Sequence, residues 1–340
     1  MAENGRVFVR GISSEHFGLR EFRQQQRAAP RVRTAGTVVD DESVGHSGGS
    51  EHSDEWWALG PGDESFLTQN LQVHFEELLP GGSNGGHAHQ NEATFYILEG
   101  EGYDVHDGER YDWEQDDLVI VNTDSVHRHF NRSATKRALA LAIKAKSSWM
   151  FLGLIQQGNS GPFSAKGYGP REDWSALLTP GGERKKTVVR KSDTSWETTR
   201  DGRVRIITSP ERTDARTNSI DVYQQEIPVG SRSAKHWHMA DEVLYVNSGT
   251  GASLHWDVEA EFAERYYAHV AEEPTRWEFG AGDVLYIPQN TVHQHVNTGT
   301  APLVFVSGQN RLFKYLGYDA VKYVLDAPEF SGRTAVAAAR

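Results

Sequence analysis

Two short histidine pairs set the chemical problem. His87-Ala-His89 and His236-Trp-His238 each place imidazoles two residues apart. On a β-strand that spacing aims both rings at one face. A second pair follows each of them, His127-Arg-His129 and His293-Gln-His295. If His127 and His293 lie on neighbouring strands, each completes a three-imidazole face for a metal ion. Imidazole suits Fe, Zn, Cu and Ni. A lone His-x-His is often only the polar face of a strand. Two such pairs, each followed at similar spacing by another histidine, favour metal. His129 and His295 share the parity of the third ligand and face the same cavity. They read as acid/base or substrate-orienting groups, or as hydrogen-bonded structural histidines. With no cysteine among 340 residues, disulfides, thiolate nucleophiles, zinc fingers and Fe–S clusters are excluded.

The chain contains itself twice. The stretch from Leu71 to Gly102 recurs from Ile220 to Gly251, so that His87, His89 and Gly100 return as His236, His238 and Gly249, each 149 positions on. DDLVIVNTDSVHRHFN recurs as GDVLYIPQNTVHQHVN, where His127 and Asn131 return as His293 and Asn297, 166 positions on. The 17-position difference is an insertion in the second copy over 255–278, read as a lid or an interface. Gene duplication explains two copies whose polar residues stay in register.

The elements that must position these histidines are strands. LQVHFEELLP, ATFYILEGEG, DLVIVN and RALALAIK mix alternation with β-branched and aromatic residues, and Gly, Pro, Asn and Asp punctuate them. The pattern predicts an all-β protein with two jelly-roll domains and a few peripheral helices. Helices are expected over 15–28 and 170–178. The organisation reads as a helical or loop segment over 1–66, a first β-domain over 67–146, a connection over 147–200, a second β-domain over 201–312 and a tail over 313–340. The tail after about 320 is expected to fray. The charge balance, 35 Lys and Arg against 47 Asp and Glu, gives −12, which speaks against nucleic acid. No apolar run would span a bilayer and no secretory leader is visible, so no membrane and a cytoplasmic location are expected.

The histidine patterns resemble the cupin superfamily in its two-domain, bicupin form. The first family motif is matched by His236-Trp-His238-x3-Glu242-x6-Gly249. The second is matched by Gly282-x5-Pro288-x-Asn290-x2-His293-x3-Asn297, departing only at Asn290. The resemblance implies a double-stranded β-helix for each copy and a divalent metal, whether Fe, Mn, Ni, Cu or Zn, held by His236, His238, Glu242 and His293. In the first copy the Glu column falls on Ala93, and Glu92 turns to the opposite face. His87, His89 and His127 remain as a three-His set.

That three-His pattern is similar to the gentisate 1,2-dioxygenase and salicylate dioxygenase group of bicupins. The resemblance implies Fe(2+) at the first site. It implies O2-dependent cleavage of a hydroxylated or amino-hydroxylated aromatic ring, of the extradiol type, with a small aromatic substrate and O2 as partners and a homodimer or homotetramer as the assembly. The group's substrate-binding Arg column holds Phe95, which implies a less charged ring, with Arg128 or Arg110 as the substitute cation. Two other readings follow the same motifs. One places catalysis at the second site, whose ligands resemble those of oxalate decarboxylase and flavonol dioxygenase bicupins. The other is a non-catalytic, metal-binding bicupin. Tyr96 and Tyr245 read as outward packing residues by parity, and Glu76 and Gln225 lie on the opening strands.

Overall fold

A computed structural model describes residues 20–36, 52–59, 70–123, 125–153, 157–164, 166–172, 185–215 and 217–330. Each copy folds into a large and a small antiparallel sheet that face one another. In the first copy the large sheet runs Val188–Val189, Leu118–Val121, Ala93–Glu99, Ala138–Lys144, Gln72–Leu78, Ser53–Leu59. The small sheet runs Gln157–Asn159, His87–His89, Val126–Asn131, Glu101–His106, Glu109–Glu114. The second copy repeats both. Its large sheet runs Val32–Arg33, Val284–Ile287, Glu242–Ser248, Leu303–Asn310, Ile220–Ile227, Gly202–Thr208, Glu197–Thr199. Its small sheet runs Thr275–Gly280, Thr250–Trp256, Thr291–Asn297, Lys235–His238, Lys322–Leu325. The fold is therefore all-β, with the two copies as two jelly rolls.

Each large sheet is buried on both faces. Its inner face closes the barrel; its outer face packs against the other copy. Leu118, Ile120, Leu141 and Ile143 join Val222, Val243, Val284 and Val306 in one core that spans both copies. This explains runs such as LVIV and LALAIK, which are apolar on consecutive residues rather than alternating. Tyr96 is on this outer face: it is fully buried, and its hydroxyl donates to Asp116 Oδ1 at 2.8 Å.

Two departures from the glycine columns have a backbone cause. Gly282 has φ 88°, and its counterpart Asp116 has φ 70°; Asn290 has φ 58°. All three sit in the left-handed region, where Asp and Asn are the residues that best replace glycine.

The margins of the copies differ from the expected boundaries. Ser53–Leu59 and Val188–Val189 extend the first large sheet, and Val32–Arg33 crosses to pair with Val284–Ile287 of the second copy. Within the tail expected to fray, Lys322–Leu325 pairs with Lys235–His238 beside the second histidine pair; residues 331–340 lie outside the description. A helix spans Arg20–Ala28. The rest of the expected 15–28 helix, and residues 173–178 of the expected second one, lie outside the described residues. The insertion forms a hairpin, Val258–Phe262 with Tyr266–Val270, and Arg27 of the helix donates to the carbonyl of Val258 at 2.6 Å. No helix among the described residues is long and apolar enough to cross a membrane.

Candidate metal centres

The barrels bring the predicted histidines together as two clusters. In the first, the register pairs His87 with His127 across strands, and the ring centroids of His87 and His89 lie 4.3 and 4.8 Å from that of His127. In the second, His236 pairs with His293, with centroids 4.2 Å apart and His238 at 4.9 Å. In each cluster the donor atoms all lie within 4.8 Å of one another. The backbone fixes which nitrogen points inward. The Nδ1 atoms of His87, His89 and His127 donate to the carbonyls of Gly85, Asn91 and Ser125 at 2.9, 2.6 and 3.0 Å. Those of His238 and His293 donate to Ala240 and Thr291, both at 2.9 Å. The Nε2 atoms of His89, His127 and His293 are buried without a hydrogen-bond partner. Orphaned, convergent imidazole nitrogens fit a metal ion, because an unsatisfied buried acceptor is costly. Burial also keeps the rings neutral, as ligation requires: His87 falls to about 4, His236 to about 3, and His89, His127 and His293 well below the ordinary value.

The centres differ in charge. Glu242 Oε2 lies 3.2 Å from His238 Nε2 and 3.7 Å from His293 Nε2. Tyr223 donates to its other oxygen at 2.5 Å, and Ser307 donates to the same oxygen. Burial opposes ionisation of Glu242, but its hydrogen bonds with His238 and Ser307 hold the carboxyl below its usual range. In the first copy the equivalents of Glu242, Tyr223 and Ser307 are Ala93, His74 and Ala142, so the ligand and both of its supports are absent together. Glu92 faces away and accepts from the backbone amides of Asn218 and Ser219 at 2.6 and 2.9 Å, while its counterpart Asp241 accepts from the Leu71 amide at 3.3 Å. These two carboxylates tie each copy to the opening strand of the other.

Acidity in the first barrel lies deeper instead. Asp104 accepts from His129 Nδ1 at 2.7 Å and from His106 Nε2 at 3.0 Å, and Glu76 lies 3.7 Å from His129 Nε2. Burial would lower His129, yet Asp104 and Glu76 raise it to about 9. In the second barrel Ser253 stands where Asp104 does and Gln225 where Glu76 does. Ser253 bridges His255 at 2.8 Å and His295 at 3.0 Å, and burial lowers His295 to about 3. There the hydrogen-bond direction is fixed from outside the barrel. Arg31 contacts His255 Nδ1 at 2.7 Å, and an arginine can only donate. His255 Nε2 then donates to Ser253, Ser253 donates to His295 Nδ1, and His295 carries its proton on Nε2, facing the cavity. His129 and His295 both face inward, one as a cation and one as a neutral donor.

The two substrate-pocket expectations part company. Phe95 is inside, 4.5 Å from the His129 ring. Arg128 is not: it lies between two inward histidines on one strand, so it projects outward, where its guanidinium donates to Asn84 and Ser83 at 2.9 and 2.6 Å. Arg110 is also outside, bound to Asp112 at 2.6 Å. Asp104, His106 and the supports of Glu242 were not singled out from the sequence; comparing the two copies position by position, around the ligand columns, would have found them. At the second centre Tyr323 donates to Asp201 at 2.7 Å, and Asp201 Oδ1 lies 3.5 Å from His236 Nδ1. Burial raises Asp201 to about 6.

Comparison with known proteins agrees with this architecture. Residues 74–144 and 223–308 each match the cupin domain family. A salicylate 1,2-dioxygenase from Pseudaminobacter salicylatoxidans superposes with a TM-score of 0.61 at 14% identity, over 87% of this chain and 88% of that one. An oxalate decarboxylase from Bacillus subtilis gives 0.57 at 17% identity over 82% and 77%. AerE from Microcystis aeruginosa gives 0.52 at 9% identity over 82% and 98%. No curated protein sequence matches the chain.

Proposed function

Because this chain is a bicupin of the cupin superfamily, we propose that it is a non-haem iron(II) dioxygenase that cleaves a hydroxylated aromatic ring at the His87, His89, His127 centre. The observation that carries the reading is the convergence there of three neutral imidazoles with no carboxylate among them. When bound, Fe(II) supplies Lewis acidity and electron exchange with O2. His87, His89 and His127, as three neutral ligands, would leave such an ion its full charge and so favour an anionic substrate oxygen. The protein's own part is positional. Ala93 leaves open the space that a ligand carboxylate takes in the second copy. The void beneath the histidines, between Glu76, Phe95 and His129, is only about 10 Å³, room for one water-sized body. A ring must therefore enter from the mouth side. Phe95 then closes the apolar side of the pocket, and His129, anchored on Asp104 with Nε2 turned to the cavity, holds a proton beside the reacting carbons.

A second reading rests on Glu242. A complete three-His-one-Glu set, buttressed by Tyr223 and Ser307, makes the second centre a competent site in its own right. Oxygen uptake separates the two. Anaerobically iron-loaded protein is offered a panel of dihydroxy- and amino-hydroxy-aromatics. Ring cleavage at the first centre requires turnover that His127→Ala abolishes and Glu242→Ala spares. The reverse pattern assigns the activity to the second centre. Two bound metals with no turnover on any substrate would favour a non-catalytic bicupin.

A further inference from the structure

The cation sought at Arg128 or Arg110 lies on another strand. Lys144 ends the strand Ala138–Lys144, directly opposite Ala93 on one side and Gln72 on the other. Directly opposed residues of antiparallel strands share a face. Lys144 therefore shares the inner face of the barrel with Ala93, beside the histidines. Burial lowers its ammonium from the ordinary lysine value against the charges of Glu55 and Glu76, and its charge in turn bears on His87 and His89. It makes no hydrogen bond or ion pair with any described residue, since Glu55 and Glu76, the acids on the same face, lie beyond ion-pair distance. Gln72 is the second observation. It is 1% exposed, and neither its Nε2 nor its Oε1 has a hydrogen-bond partner. A fully buried amide with both ends unsatisfied is expected to meet a ligand.

The second copy shows what these positions look like when they serve only the protein. Gln309 replaces Lys144 and lies 3.1 Å from His238 Nε2, so a side chain from this position reaches a metal-facing nitrogen. Asp221 replaces Gln72 and is consumed by Arg311 and by Lys314, the latter at 2.5 Å. There the carboxylate is paired within the copy by two cations. In the first copy Lys144 and Gln72 keep their bonding capacity, and they keep it at the mouth of a centre that contributes no negative charge.

We infer that Lys144 and Gln72 form an anion subsite at the mouth of the three-His centre, which takes the carboxylate of an aromatic acid whose ring hydroxyl is directed at the histidines. The inference rests on that centre being the substrate site. It also revises the consequence drawn from Phe95: the Arg column is apolar, but the charge is supplied from the neighbouring strand. A lysine is a compact point charge, so the carboxylate takes one charge-assisted bond from Lys144 and a second from the Gln72 amide rather than a bidentate fork.

The test uses zinc-loaded protein, which exchanges no electrons with O2, and salicylate and phenol as probes in equilibrium calorimetry. All forms carry His236→Ala and His293→Ala, which leave only His238 and Glu242 of the second set, so that the second centre does not contribute. Lys144→Gln, which installs the second copy's residue, is expected to weaken salicylate about tenfold or more while phenol stays within about twofold. Lys144→Arg restores salicylate to within about threefold, and Gln72→Leu weakens salicylate alone. Equal salicylate affinity in the parent and Lys144→Gln overturns the subsite. So does a parallel loss of phenol, which marks a packing role and also reports any misfolding. Because no turnover is read, absence of ring cleavage in the oxygen experiment would leave this result standing, and the two failures remain distinct.

Discussion

At the scale of single residues, the barrels solve one problem twice with different chemistry. The first copy keeps its acids, Asp104 and Glu76, behind the histidines; the second keeps its acid, Glu242, among them. Burial raises Glu76 from 4.5 to about 7. A carboxyl that binds its proton more tightly folded than unfolded makes stability fall as pH rises, beginning near the unfolded value and ending above the folded one. Glu76→Gln, which copies the second barrel, should therefore leave stability unchanged near pH 4.5 and raise it by roughly 1–3 kcal/mol at pH 8.5. Urea unfolding of the metal-free protein at the two pH values measures this, and an equal effect at both would show that Glu76 is not the titrating group. The histidine ligands were legible in the sequence, since duplication printed the same residue type at the same spacing twice. Asp104 and Lys144 were not, because there the copies differ: Asp104 against Ser253 and Lys144 against Gln309. Arg128 was misplaced for a simpler reason. It neighbours two inward histidines, and the alternation that turns them in turns it out.

At the scale of elements, the large sheets carry the fold because both of their faces are buried. Where they meet, Ile143 of the first copy faces its own counterpart, Gly308, and a Cβ at Gly308 would come within 2.6 Å of the Ile143 Cδ1 atom. The contact is asymmetric by necessity: two isoleucines would not fit at this point. Gly308→Val should cost about 1–3 kcal/mol through overpacking, and Ile143→Ala in the same chain should return part of it. A double-mutant cycle by denaturant unfolding checks this, and purely additive losses would place the strain elsewhere. Periodicity located the long strands well. It missed those at the margins, Ser53–Leu59, Val188–Val189 and Lys322–Leu325, because edge pairing is decided by which neighbour is available in the folded chain rather than by local pattern. The last of these matters for function, since it closes the sheet beside His236.

At the scale of the whole molecule, the position of the ligands decides how strongly a metal couples to folding. His87, His89 and His127 all belong to the small sheet of the first copy, so a metal there joins two strands that already pair. At the second centre three ligands belong to the small sheet and Glu242 to the large one. A metal there bridges the two walls of the barrel, and a carboxylate already held ionised adds charge to its hold. A ligand that binds only the folded chain stabilises it in proportion to the logarithm of its concentration over its dissociation constant. The second centre should therefore fill first in a titration with divalent metal and empty last under a chelator. Glu242→Ala converts it to the ligand set of the first copy. Loss of a charged ligand, with Tyr223 and Ser307 left facing the gap, should weaken metal at that centre by about 10–100-fold, the range seen when even outer partners of a ligand are removed, or more. Calorimetric titration of zinc into metal-free protein should give two separable steps in the parent and two overlapping, weak steps in Glu242→Ala, with the metal-induced rise in Tm shrinking accordingly. Two equal steps in the parent would show that the buried carboxylate contributes nothing to the hold. A rise in Tm unchanged by Glu242→Ala would show that bridging the sheets is not what couples metal to folding.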